Sequence, residues 1–123
     1  MSTGNPIEIK IVMPQFVFEN MQNTPSRLLD LIGHAQLDCI KSNIIDALSD
    51  REGGPAVVNM RVTKFEYDDE RYAGIFRLHF MISRQFCCSD TVAAIDDYID
   101  FKYEYQNEIM TAQGVFFQWI IDN

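Results

Sequence analysis

No run in this sequence approaches the ~18 consecutive apolar residues that a membrane-spanning helix needs. The opening MSTGNPIEIK lacks a basic region followed by an apolar block, so neither a membrane span nor a signal peptide is expected. Cysteine is scarce. Cys39, Cys87 and Cys88 form an odd set with two adjacent members, a poor disulfide framework, and a reducing cytoplasm is the expected location. The adjacent thiols have no second Cys or His pair at ligand spacing, so a closed tetrahedral metal site is not expected, nor is any cofactor. Ser49, Ser83 and Ser89 lack a flanking glycine elbow, and no glycine-rich phosphate loop occurs. Positive charge is also short: 10 Lys and Arg stand against 18 Asp and Glu, a formal net charge of −8. That balance argues against nonspecific binding to nucleic acid or anionic membrane.

What is present reads as one ordinary globular domain spanning residues 1–123. Of the 123 residues, 47% are hydrophobic and 23% charged, enough to build a core and too apolar for disorder. No internal repeat or low-complexity tract interrupts it. The longest helical pattern covers residues 25–49, with Thr24 as a cap, Pro25 in the first turn, and Gly53-Gly54-Pro55 beyond its end. Leu29, Gly33, Leu37, Ile40, Ile44, Ala47 and Leu48 share one stripe of this helix. Leu28, Leu31, Ile32, Ala35 and Cys39 form a second stripe on the opposite side, and Gly33 is a candidate break. Leu37, Ile40 and Ile44 are the expected core contacts.

The other elements read as strands. Ile7, Ile9, Ile11 and Met13 alternate with Glu8 and Lys10, and a shift of phase to Phe16 and Phe18 predicts a bulge or bend at Pro14, on a sheet edge. Residues 56–67 and 72–86 predict a long antiparallel hairpin with a charged tip at Asp68-Asp69-Glu70-Arg71 and a bulge near Thr63-Lys64. Residues 87–97 read as a connection with one helical turn capped by Ser89 or Asp90. A fourth strand is expected over 98–106, a loop over 107–114, and a final strand, VFFQWII, over 115–121. The expected class is α+β: one long helix packed against a curled antiparallel sheet in the order β-α-β-β-β-β. By element order alone this plan resembles the cystatin-like and hot-dog arrangements, and no motif identifies a family.

Two constellations invite a chemical reading. Asp30, His34 and Asp38 lie four residues apart and can form an acid–His–acid row on one helix face, the geometry of a general base. That row falls away from both apolar stripes, so a solvated face is the simpler account and no catalytic residue is assigned. His79, between Arg77 and Met81, reads as a surface or interface histidine. The most informative feature is electrostatic: Asp90, Asp96, Asp97, Asp100, Glu104 and Glu108 crowd one segment with a single lysine, and Tyr98 joins them. Concentrated acid with an aromatic suits docking of a basic protein, while the plain alternative is solubility. The expectation is a non-enzymatic interaction module of the inhibitor, immunity, adaptor or chaperone type. Its partner surface is those seven residues, and it self-associates as a homodimer because residues 115–121 are apolar on both faces. The alternative is a small enzyme or ligand binder acting on an acyl or other apolar compound held between helix and sheet.

Overall fold

Alternating apolar and polar side chains decide the sheet, and one face of every strand is mostly apolar, the inward Asp97 of the fourth strand excepted. The computed structural model describes residues 6–48, 52–85 and 92–116. In chain order these form β1 (Pro6–Val12), α1 (Gln15–Asn20), a 3-10 turn (Pro25–Arg27), α2 (Leu28–Leu31), α3 (His34–Ala47), β2 (Ala56–Asp68), β3 (Ala73–Gln85), β4 (Val92–Gln106) and β5 (Ile109–Val115). The sheet is five-stranded in the order β1-β5-β4-β3-β2, and every neighbouring pair is antiparallel. The class is therefore α+β, with more strand than helix.

The inner face carries Ile7, Ile9 and Ile11 of β1, Phe76, Leu78, Phe80 and Ile82 of β3, and Ile99, Phe101, Tyr103 and Tyr105 of β4, all buried. Phe18, Leu28, Ile32, Ile40, Ile44 and Leu48 cover it from the helices. Phe18 anchors this layer: its ring stacks on Tyr105 at 3.8 Å and meets Tyr67 edge-on at 4.7 Å. Among the described residues no polar or charged residue other than tyrosine is buried.

The expected long helix is corrected. The chain turns through Pro25–Arg27, runs one turn as α2, extends at Ile32 and Gly33, and restarts as α3. On an unbroken helix Leu28 and Ile32 would face roughly 140° away from Ile40, Ile44 and Leu48 at 100° per residue. The break brings Leu28 and Ile32 onto the same sheet as Ile40, Ile44 and Leu48. Ile40 and Ile44 are buried as expected, Leu37 is half-buried, and Leu31, Ala35 and Cys39 are exposed.

Three more expectations change. Pro14 is followed by helix α1 and not by a bulged strand, and six residues are too few to display a helical period. The loop expected over 107–114 is instead β5. Its inner positions are Met110, Ala112 and Gly114, and a Cβ on Gly114 would lie 2.9 Å from Ile99 and Phe101. Small residues are needed there, and they hide the strand from an apolar count. Strand β4 begins at Val92, where a connection was expected, because β3 is long enough to pair with it from Gln85↔Val92 onward. Ser49, Cys87, Cys88, Ser89, Asp90 and most of the expected 115–121 strand lie outside the described residues.

Both sheet edges are interrupted. The β2 edge has register shifts between Val58 and Arg61 and between Val62 and Lys64, the second where a bulge was expected. At the β1 edge the side-chain amide of Gln36 in α3 accepts from the Lys10 N–H at 2.9 Å and donates to the Lys10 carbonyl at 3.0 Å.

Candidate functional site

Strand register assembles the outer face of the sheet. Arg77 sits opposite Asp100, His79 opposite Tyr98 and Met81 opposite Asp96, while Arg61 faces His79 from β2. Cross-strand partners on one face stand close enough for side chains to pair. The Arg77 guanidinium donates two hydrogen bonds to the Asp100 carboxylate, at 2.7 and 3.0 Å, and lies 4.1 Å from the centre of the Tyr98 ring. Arg61 approaches Asp96 at 3.6 Å. The hydrogen bond from Arg77 holds the Asp100 carboxyl below its ordinary range. The His79 ring is 5.8 Å from that of Tyr98.

The acidic segment is therefore not one surface. Asp96, Tyr98 and Asp100 share the outer face, with both carboxylates held by arginines of the same sheet. Glu104 lies farther along that face, opposite Ala73 and Thr111. Asp97 points to the inner side, paired with buried Phe80. Partial burial pushes its carboxyl up, against the lowering effect of the hydrogen bond from the Tyr98 N–H. Glu108 occupies the tight β4–β5 turn, where Asn107 and Glu108 both have positive φ (54° and 60°). Its carboxylate accepts from the Gln15 N–H at 2.9 Å and its carbonyl from the Met13 N–H at 2.8 Å, so it ties the end of β1 and the start of α1 to this turn. Asp90 lies outside the described residues.

The Asp30–His34–Asp38 row is interrupted by the helix break. All three are exposed, and among the described residues no hydrogen bond or ion pair joins them. Among the described residues no cluster of His, Cys, Asp and Glu is arranged to hold a metal ion, and no helix is long and apolar enough to cross a membrane.

Two open hollows mark the sheet. The larger, about 960 Å³, lies along its outer face and includes Ile75, Asp100, Lys102, Glu104, Thr111 and Gln113. The smaller, about 410 Å³, lies between the β2–β3 and β4–β5 turns and is lined by Gln15, Tyr67, Asp69, Tyr72, Tyr105, Gln106 and Asn107. No family model matches the chain, and neither a curated protein nor a solved structure matches it significantly.

The tyrosine-lined hollow escaped the sequence reading. Tyr67 and Tyr72 flank the charged turn and signal that hairpin end, but Tyr105 joins them only through sheet register. The backbone records the join: the Tyr105 N–H donates to the Tyr72 carbonyl at 2.9 Å.

Proposed function

We propose that this protein is a non-enzymatic interaction module, of the inhibitor, immunity, adaptor or chaperone type, for a basic protein partner. One observation carries the reading: apolar and tyrosine side chains fill the helix-covered interior, and no described charged side chain is fully buried, the half-buried Asp97 being the one that faces inward from β4. With a net charge of −8, that surface attracts a cationic partner over a Debye length of about 8 Å at physiological ionic strength. Asp100 is engaged by Arg77, which also lies against the Tyr98 ring, and Arg61 approaches Asp96, so these two carboxylates are the less available to a partner. Further carboxylates open to a partner are Asp68, Asp69 and Glu70 of the β2–β3 turn, with Arg71 beside Asp68, and Glu104 on the outer face of β4. The same reading places the protein in the cytoplasm and pairs it as a homodimer. Val12 and Ile109 support pairing, because they stand opposite each other on the outer face and remain 76% and 43% exposed.

The competing reading is a cystatin-like or hot-dog-like enzyme or binder of an acyl or other apolar compound, which requires space and convergent polar groups between helices and sheet. Phe18, Leu28, Ile40, Ile44, Phe76 and Phe80 occupy that interface instead.

The test is kinetic. A partner captured from the native cell is purified, and its association rate is followed against salt concentration. Asp68→Asn, Asp69→Asn and Glu70→Gln combined are expected to slow association and flatten the salt slope, whereas Asp96→Asn with Asp100→Asn has the smaller effect. A parental rate that is indifferent to salt rules the reading out.

A further inference from the structure

We infer that the hollow lined by Tyr67, Tyr72, Tyr105, Asp69, Gln15 and Asn107 is a binding site for a primary alkylammonium group, a lysine side chain of the partner. The inference rests on the interaction-module reading and names what the partner inserts.

The lining carries phenol rings, carboxamides and one carboxylate, and no cationic residue. Aromatic faces attract cations through their quadrupoles, and the Tyr67 and Tyr72 phenols, the carboxamides and the Asp69 carboxylate carry acceptors for the three hydrogen bonds that an ammonium donates, while Tyr105, its hydroxyl buried against Met13, forms the floor. A guanidinium gains most from a fork of two carboxylate oxygens held in its plane, whereas acceptors spread around a hollow suit the more compact ammonium. Anions are disfavoured by the same charges. Burial raises the Tyr67 phenol, and Tyr72, Asp69 and Asp68 raise it further. Burial likewise raises Tyr105, followed by Glu108, Tyr67 and Glu19. Negative charge from two turns and from α1 thus converges on one place. Arg71, the nearby cation, reaches toward Asp68 at 3.8 Å and is not part of the lining.

Two of the walls are fixed before any ligand arrives. The Tyr105 hydroxyl donates to the Met13 carbonyl at 2.6 Å, and its ring stacks on Phe18. Tyr67 stands edge-on to the same Phe18 ring. The third wall, Tyr72, is 55% exposed and is held at φ 54°, a conformation uncommon for a bulky residue. Its exposed ring stands at the rim of the hollow, beside the path of an inserted chain. Preorganised walls reduce the ordering cost of binding.

The experiment uses Nα-acetyl-lysine N-methylamide as the probe and the neutral norleucine analogue as its control, each titrated into the full chain and followed by backbone amide shifts. Saturable shifts at Asp69, Tyr72 and Asn107 are expected with the lysine probe and not with norleucine. Tyr72→Asn suits the backbone because asparagine tolerates positive φ. It and Asp69→Asn are each expected to weaken binding about 2- to 5-fold, the scale of an exposed cation–aromatic contact. Dispersed spectra certify that both variants fold. Equal response to norleucine, or unchanged affinity in both folded variants, overturns the site. Salt-dependent association of the partner that survives this result leaves the interaction-module reading standing, so the two failures are distinguishable.

Discussion

Gly74 is the residue whose identity is most tightly fixed by its neighbours. Its missing side chain lets the Tyr103 ring cross β3, so that the Tyr103 hydroxyl donates to the Glu66 carbonyl on β2 at 2.7 Å. A Cβ at Gly74 would lie 2.0 Å from the Glu66 carbonyl oxygen and 2.5 Å from the Tyr103 hydroxyl. Gly74→Ala is expected to cost about 1–3 kcal/mol as an overpacking change, and Tyr103→Phe about 1 kcal/mol for the hydrogen bond alone. Urea melts of both variants check the order. Two aspartates of β4 give opposite pH signatures. Arg77 depresses the native Asp100 pKa, so this group stabilises the fold above the ordinary carboxylate range of about 4 and loses that contribution as pH falls through its native value. Burial raises the native Asp97 pKa, so its charge opposes folding at neutral pH and stops doing so once it is protonated. Melts at neutral pH are expected to find Asp100→Asn less stable than the parent and Asp97→Asn more stable. Both differences should shrink toward zero at acid pH. The same sign for both variants would contradict this assignment.

At the scale of elements, α1 and α3 hold the helix layer onto the sheet by different means. α1 has only Phe18 buried, yet that ring touches Phe65, Tyr67, Tyr103 and Tyr105. Phe18→Ala is expected to cost about 3–5 kcal/mol and Ile40→Ala in α3 about 2–5 kcal/mol, each read as a shift of the denaturation midpoint. Should Phe18→Ala melt with the parent, the aromatic cluster is not what seats α1. The long hairpin was legible from sequence because Phe76, Leu78, Phe80 and Ile82 alternate strictly and the turn between the strands is charged. The inward face of β4 was legible for the same reason. The short α1 was not, since one and a half turns contain no period. Nor was β5, whose inward positions end in alanine and glycine to make room for Phe101. The acidic row could be counted from the chain, but its arginine partners could not. Arg77 reaches Asp100 across 23 positions, a distance closed only by strand register. The tyrosine hollow is hidden for the same reason.

For the whole molecule, Val12 and Ile109, exposed opposite each other on the outer face, carry the proposal of self-association. Light scattering at micromolar concentration is expected to report about twice the 14.2 kDa chain mass, falling on dilution. A constant mass of one chain would count decisively against the homodimer. Val12→Lys combined with Ile109→Lys is expected to yield the monomer while leaving the core untouched.

The contact between Gln36 and Lys10 bears on what happens when many copies are crowded together. A glutamine amide has the same donor and acceptor as a peptide group, so Gln36 acts as one peptide unit of a missing sixth strand. It occupies the middle of the β1 edge, where another chain would otherwise begin to add. Exposed strand edges template fibres, and Ile7, Ile9 and Ile11 give this edge the alternating apolar character that cross-β stacking favours. Gln36→Leu is therefore expected to change the melting midpoint little and to shorten the lag before thioflavin-positive fibres form at high concentration. An unchanged lag would mean that the edge is protected by something other than this one side chain.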